Sequence, residues 1–531
     1  MPQTVVGFSA HERHVGDVAQ AQLTTSAQQA VAGLLPLLGR DAAAAGAADP
    51  FARCALVDGP AGVAARVRYA DAERDVAAEQ LVAMLLARLA LHAARARPAA
   101  GVRRSVLCHP AALSPRAQRA LLDAAHIAGL PSPSLVPSHA AAASCFGVKR
   151  PVREGEPPRR VAFVDVGQRY TSAAVYTFAH RAAPALMHAG GCELGAADLD
   201  GALWALLAAE LASAHATPVT RASRAGARLL AEVAKAQRTL STVAQASVEL
   251  ECFGPAEKDI RLPVTRERFE AACAPLRERL EAFLRSVLAA GDAPPAAVEV
   301  IGGGARVPWV AAAIAASAGD APLSHMLDGA SACALGAASI AQAHPDDRAF
   351  PAAFPPPVVL PSSGDELPPG LSPEQRAAFR AAEQEMAAAD AAAVALADAW
   401  NALEAYVLEM RGAATSGPLA GELQPARSLP LLAEAEEWMN AARDDGDAVP
   451  LAVVTGRLDA LRAALQEIAP GYFAKLAAQK AALEVCAATA APRRYPHTFT
   501  HKLGKRRITR FPPAHSYAHI EPGSALVRGR A

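Results

Sequence analysis

The chain has no net charge, no paired-cysteine motif and no long apolar run, and each absence argues against a class of function. Its 52 Lys and Arg balance 52 Asp and Glu, so the molecule as a whole offers no electrostatic hold on nucleic acid or on an anionic membrane. The eight cysteines are scattered, with no C-x-x-C pair. That suits reduced thiols in the cytoplasm better than a disulfide frame or a zinc site. The histidines likewise lack metal-ligand spacing. Met1 is followed by neither a basic segment nor an apolar one of the signal-peptide kind, and no run of ~18 uncharged apolar residues offers a membrane span. What is present is length and apolar content: 531 residues, 52% of them hydrophobic, enough for two or more domains with a sizeable core.

Organisation is legible along the chain. Residues 1–343 alternate strand-like runs at 161–164, 173–175 and 298–301 with amphipathic helices such as 76–91, an α/β pattern. Composition then changes. Residues 344–370 carry Phe350-Pro-Ala-Ala-Phe-Pro-Pro-Pro357 and Leu367-Pro-Pro-Gly370, a proline-rich stretch that predicts an extended linker because proline lacks the N–H that a helix or a central strand needs. Residues 371–490 read as helices. Ser372 is the expected N-cap with Pro373 at the first helical position, and Leu396, Leu403, Val407 and Met410, then Leu451, Val454, Leu458, Leu461, Leu465 and Ile468, recur at helical spacing. Such apolar stripes predict a bundle rather than a cofactor box. Residues 491–531 form a basic tail, with Lys502, Lys505, Arg506, Arg507 and Arg510 near Phe499 and Phe511 and a single acid, Glu521. A solvated, disordered tail is the expectation; contact with RNA or nuclear import is the alternative.

The most informative stretch is Val298-Glu-Val-Ile-Gly-Gly-Gly-Ala-Arg-Val-Pro308. A short strand feeds a triple glycine there, which lets backbone approach a phosphate or adenine with no Cβ in the way. Alone it reads as a strand-to-helix turn. Together with Phe163-Val-Asp-Val-Gly167, Leu194-Gly-Ala-Ala-Asp-Leu-Asp200, Lys235-Ala-Gln-Arg-Thr-Leu-Ser241 and Arg104-Ser-Val-Leu-Cys-His-Pro110, in this order and spacing, it resembles the ATPase domain of the heat shock protein 70 superfamily. Ser247-Val-Glu-Leu-Glu-Cys-Phe253 and Asp398-Ala-Trp-Asn-Ala-Leu-Glu-Ala-Tyr-Val-Leu-Glu-Met-Arg411 resemble its large branch, heat shock protein 110. The resemblance implies an actin-like two-lobed ATPase fold, α/β and incomplete, followed by a C-terminal α-helical bundle. Its cofactor-binding positions carry over to Asp165, Gly167, Gly195, Arg238, Ser241, Gly302, Gly303 and Arg306, with ATP or ADP as the ligand and Mg²⁺ left open.

The departures from that family carry as much information as the matches. Val5-Val-Gly-Phe8 and His11-Glu-Arg-His-Val-Gly-Asp-Val-Ala19 resemble the segment after the family's second strand, so its first phosphate loop is expected to be missing. The family's water-positioning Lys falls on Leu35, ahead of Leu37-Leu-Gly-Arg40. In Val136-Pro-Ser-His-Ala-Ala-Ala-Ala143 a carboxylate and a hydroxyl of the family fall on Ser138 and Ala140. The second phosphate loop keeps Asp165 and Gly167 but has Gln168 and Arg169 for glycines and Ser172 for an acid; Asp328-Gly-Ala-Ser-Ala-Cys-Ala-Leu-Gly336 has Ala330 and Ser331 for two more. Phosphoryl transfer depends on positioned charge and metal, so the sequence reads as a pseudo-ATPase with no catalytic residue. The linker is also too short for the family's peptide-gripping β-sandwich, which needs on the order of 100 residues.

Three functions follow from these readings. The first is a non-catalytic co-chaperone or nucleotide-exchange partner of another heat shock protein 70-type chaperone, using one surface on the ATPase-like domain and one on the bundle. The second is an ATP-dependent chaperone whose sequence is incomplete, and the third is a degenerate scaffold for an unrelated interaction. All three place the protein in the cytoplasm, with the nucleus as the alternative that the tail raises.

Overall fold

The computed structural model describes residues 4–490, apart from 11, 50, 71, 97–103, 255–256, 291–292, 343–366, 417–418 and 445–448. Most of the expected linker and the whole basic tail lie outside the described residues. The chain divides into two compact units, Met1–Ala399 and Trp400–Ala531.

In the first unit the early residues build small antiparallel sheets. Strand Val5–Phe8 is flanked by Arg13–Val15 and Ala30–Ala32, and a hairpin pair joins Ala55–Gly59, Gly62–Tyr69 and Ala72–Ala77. Alternation sets the inner face of Gly62–Tyr69, with Val63, Ala65, Val67 and Tyr69 buried, as a half-covered strand requires. The helix expected at 76–91 runs instead over Ala78–Ala96. Val76 and Ala77 end the preceding strand, because backbone pairing with Ala65 and Ala64 continues to that point. Helix Pro115–Ile127 starts where Ser114 accepts the Ala117 amide, with proline in its first turn.

The later part of the unit is a mixed five-stranded sheet in the order Ala185–Cys192, Thr171–Phe178, Arg159–Val166, Ala297–Ile301, Leu323–Ser324. Arg159–Val166 pairs antiparallel with Thr171–Phe178 through a tight loop and parallel with Ala297–Ile301. This pairing places Asp165 opposite Ile301, so two glycine-bearing loops, 167–170 and 302–304, leave the same end of neighbouring strands. Covering helices include Ala196–Ala214 and Arg224–Leu240, whose buried Leu199, Leu203, Leu207, Leu229 and Val233 belong to one core cluster with Val164, Val298 and Val300. Helix Ala332–Gln342 returns to pack on helix Ser138–Lys149. Gly336 there faces Ala141 so closely that a Cβ would come 1.8 Å from its carbonyl oxygen, and the Ser144 and Ser339 hydroxyls meet at 2.7 Å.

The helix that begins after Leu371 spans Pro373–Ser416. Its start is reciprocal: the Gln375 amide donates to Ser372 Oγ and the Ser372 amide to Gln375 Oε1, satisfying two backbone donors that no helix can satisfy internally. The expected linker does not leave this helix free. Leu371 and Met386 lie in the core cluster of the early residues, the Leu371 amide donates to Asp123 Oδ2 at 2.9 Å, and Arg13 reaches Glu383 and Asp390 at 2.7 Å each. Tyr69 adds a hydroxyl bond to Asp390 at 3.1 Å. The first unit therefore ends at Ala399, inside the helix, beyond the proline-rich stretch.

The second unit is helical, with Pro425–Asp444, Leu451–Ile468 and Pro470–Ala490 beside the end of the long helix. Leu403, Val407, Met410, Val454, Leu458, Leu461 and Leu465 are buried, as their spacing predicts. Leu451 is 38% exposed, because it stands in the first turn, ahead of the packed stripe. Trp400 stacks on Trp438 with ring centroids 5.4 Å apart, and Arg457 lies over the Trp438 ring. Among the described residues no helix is long and apolar enough to cross a membrane.

Candidate functional site

A cavity of about 1890 Å³ runs between the early and later parts of the first unit. Its walls include Leu35 and Gly33 from one side, Asp165, Gly167 and Arg169 from the hairpin loop, and Arg238, Ser241, Gly303 and Arg306 from the other.

The triple glycine divides its work. Gly302 has φ of 85°, and a Cβ on it would come 2.3 Å from the Val166 carbonyl oxygen and 2.6 Å from Asp165 Oδ1. It is glycine because the two loops pack there, and it is not on the cavity wall. Gly303 has open space where its Cβ would be and does face the cavity. Gly195 resembles Gly302: it is buried, a Cβ would meet Gln168 carbonyl atoms and the Arg169 amide at 2.6–2.7 Å, and its amide donates to Asp198. Carbonyls of Gly167 and Gln168 accept the Ala196 and Ala197 amides. The first N–H groups of that helix are thus taken by the loop and do not point at the cavity.

Arg238 is exposed in the last turn of its helix and Ser241 follows at the C-cap. The Ser241 hydroxyl donates to the Gln237 carbonyl at 3.0 Å, leaving its oxygen free to accept. With Gly303 and Arg306 opposite, this end combines a close-approach backbone with a planar cation able to stack on a base. An adenosine moiety fits it.

The phosphate end is different in kind. Asp165 is largely withdrawn from water, and burial holds its carboxyl above the usual range. Ser172 Oγ accepts the Ala111 amide at 3.0 Å, so it is engaged by backbone. Asp200, also on the cavity wall, is pushed up to about 6 by burial against the pull of Arg238. Leu35 and Ser138 add no charge, and Ala140 is fully buried. No group of three His, Cys, Asp or Glu side chains suited to a metal occurs among the described residues. Mg²⁺ keeps most of its waters and needs ionised oxygen ligands and phosphate beside it; this donor set does not fit it. Arg169 stands in the loop with its guanidinium against Asp49, Nη2 to Oδ2 at 3.1 Å, and donates from Nη1 to the Ala48 carbonyl at 3.2 Å.

The carried-over positions thus separate into Asp165, Gly167, Arg238, Ser241, Gly303 and Arg306 on the cavity wall, and Gly195 and Gly302 behind it. Sequence reasoning singled out Arg169 but not its partner. Asp49 has no motif around it and is brought to the cavity by the short helix Ala42–Ala48.

Comparison with known proteins agrees with this architecture. Residues 2–349, well over half of the chain, match the family described as Hsp70 protein. The chain is 31% identical over 316 residues to the heat shock protein hsp88 of Neurospora crassa, covering 58% of this chain and 44% of that one. It is 30% identical over 351 residues to a heat shock protein homolog of Eremothecium gossypii (64% and 50%), and 28% identical over 324 residues to human heat shock 70 kDa protein 4L (57% and 37%). The match spans half or less of each of these relatives. With the matched residues covering the two-loop cavity and both its walls, the chain belongs to the Hsp70 family, a family of ATP-binding chaperones.

Proposed function

We propose that this chain is a non-catalytic co-chaperone of the heat shock protein 110 type, which binds an ordinary Hsp70-type chaperone and speeds release of its nucleotide. The observation that carries the reading is the contrast inside the cavity: a frame that keeps the adenosine end, and a phosphate loop whose glycine positions hold Gln168 and an Arg169 tied to Asp49. Positioned charge and metal are what phosphoryl transfer requires; beside Asp165 the loop's one cation, Arg169, is held by Asp49, and the donor set does not suit Mg²⁺. The helix seated on the first unit by Arg13, Asp123 and Tyr69 supports the same reading. Its first part, to Asp390, thereby belongs to the surface that the ATPase-like unit would offer a partner. The free cysteines fit a reducing, cytoplasmic setting.

The test is a release measurement. An Hsp70-type chaperone loaded with a fluorescent ADP analogue is mixed with the intact chain, and the release rate is followed. Acceleration with formation of a complex is the expected result, together with no ATP turnover above a mock preparation. Absence of both complex and acceleration sinks the co-chaperone reading. Mg²⁺-dependent hydrolysis that is lost on Asp165→Ala would replace it with that of an ATP-driven chaperone.

A further inference from the structure

Three contacts from one short segment join the two sides of the cavity. The first is the Arg169–Asp49 pair at 3.1 Å, with side chains 27% and 9% exposed. The second is the Arg169 bond to the Ala48 carbonyl; there the cation also meets the negative end of the short helix before it. The third is Phe51, whose ring lies edge-on to Trp204 at 5.3 Å while the Arg221 guanidinium lies 5.7 Å from each ring. Asp49 Oδ1 accepts the Phe51 amide, so the carboxylate and the aromatic anchor are tied to each other. Gly33 lies beside the pair; its φ of 62° favours glycine, and a Cβ there would touch Arg169 Nη2 and Asp49 Oδ2 at an ordinary contact distance of 3.4 Å. Nearby, Arg40 Nη2 reaches Glu193 Oε1 at 2.6 Å. Arg169 comes from the hairpin of the later sheet and Asp49 from the end of helix Ala42–Ala48 in the early part, so the pair joins the two sides of the cavity.

We propose that Ala48, Asp49, Phe51 and Arg169 form a built-in clasp that holds the two sides of the cavity together without nucleotide, by keeping the one cation of the phosphate loop on an internal carboxylate. Two consequences separate this from an incidental surface pair. The sides stay closed in the ligand-free protein. And phosphate groups add nothing to adenosine binding until Asp49 is removed, when Arg169 is freed for an external anion.

The experiment has two arms. In hydrogen exchange on the ligand-free chain, Arg169→Gln and Asp49→Asn each speed amide exchange at 42–54 and 166–172, by roughly threefold or more, and the double variant adds little to either. Asp49→Asn keeps an oxygen for the Phe51 amide, and Arg169→Gln alters a part-exposed side chain, so each checks the other for simple misfolding. In titration calorimetry, wild type binds adenosine and ADP alike, Asp49→Asn prefers ADP by about tenfold, and Arg169→Gln with Asp49→Asn loses that preference. Unchanged exchange in both single variants, or effects that simply add in the double variant, overturns the clasp; so does a wild-type preference for ADP that Asp49→Asn leaves as it was. The exchange arm needs neither ligand nor partner, so its outcome is independent of the co-chaperone reading.

Discussion

Two arginines tie distant parts of the first unit together, and they do so under different physics. Arg13 is nearly sealed from water, 6% exposed, between Glu383 and Asp390; Arg169 is 27% exposed at the cavity opening, with one carboxylate. Burial alone pulls the Arg13 guanidinium down, and its two partners more than restore it. At Glu383 burial wins, and the carboxyl sits above its ordinary range despite Arg13. Both shifts are upward, which favours the charged arginine but disfavours the charged glutamate; the sealed triad therefore gains little net stability from pairing, yet losing one member leaves a stranded charge. The cavity pair is asymmetric: water can reach the Arg169 guanidinium, while Asp49, only 9% exposed, keeps the Phe51 amide as a second partner when the arginine leaves. One arginine makes a permanent seat and the other a contact that can be exchanged.

The largest expected effect is at the seat. Arg13→Ala should lower unfolding stability by about 3–5 kcal/mol, read as a shift of the urea midpoint, and should release the helix from Pro373 onward to proteolysis. Arg169→Ala in the same titration should cost less, about 1–3 kcal/mol, because the buried Asp49 keeps the Phe51 amide; equal losses would erase the distinction between the two sites.

Next comes the backbone bond that starts the seated helix. Asp123→Ala leaves the buried Leu371 amide without its acceptor, at a cost of about 1–3 kcal/mol. Asp123→Asn should recover most of it, since an amide oxygen still accepts. A midpoint for the Asn variant no better than for the Ala variant would mean that the charge, facing Arg119 and Arg376, is what holds the segment.

A pH series sharpens the same surface. Glu79, 4% exposed and near Asp123, is pushed up to about 7 by burial, above its unfolded value. Its stabilising protonated form is fully present below the unfolded pKa and is lost as pH rises through about 7. His139, buried against the Tyr176 hydroxyl, is held down to about 4 by burial. Its contribution is present above its unfolded value and lost as pH falls toward 4. The two oppose each other between these limits, so wild-type stability should be flat there. Glu79→Gln should stabilise the chain at pH 8 relative to pH 5 by on the order of 2 kcal/mol, and a difference of the opposite sign would show that Glu79 is ionised in the fold.

The smallest effect is at the adenosine end. Arg238→Ala should weaken adenosine and ADP binding by about tenfold each, with stability unchanged because the side chain is exposed. A selective loss for ADP would move Arg238 to the phosphate side.

Local signals predicted local structure well. Strands at 159–166 and 297–301 follow from β-branched runs ending in glycine, the strand at 171–178 extends the short run at 173–175, and the Ser372 cap followed from its residue type ahead of Pro373. The glycines were legible as glycines but not by role: Gly302 and Gly195 exist for loop-on-loop packing, which depends on where Val166 and Gln168 lie in space. The proline content suggested a linker over 344–370 and gave no sign that the helix after it is seated on the early residues. Nothing in Pro373–Ser416 says that Glu383 and Asp390 will meet an arginine some 370 residues earlier.

By itself the sequence determined the family, the α/β-then-helical order and the loss of charge from the phosphate loop. Each of these is a matter of residue type at a spacing that helix and strand geometry convert directly into a face. Only the tertiary structure decided which charges are paired. Arg13 and Arg169 are the same residue type in polar surroundings along the chain. Whether each becomes a sealed seat or an exchangeable contact depends on the water excluded around it, and that is fixed by packing of segments far apart in sequence.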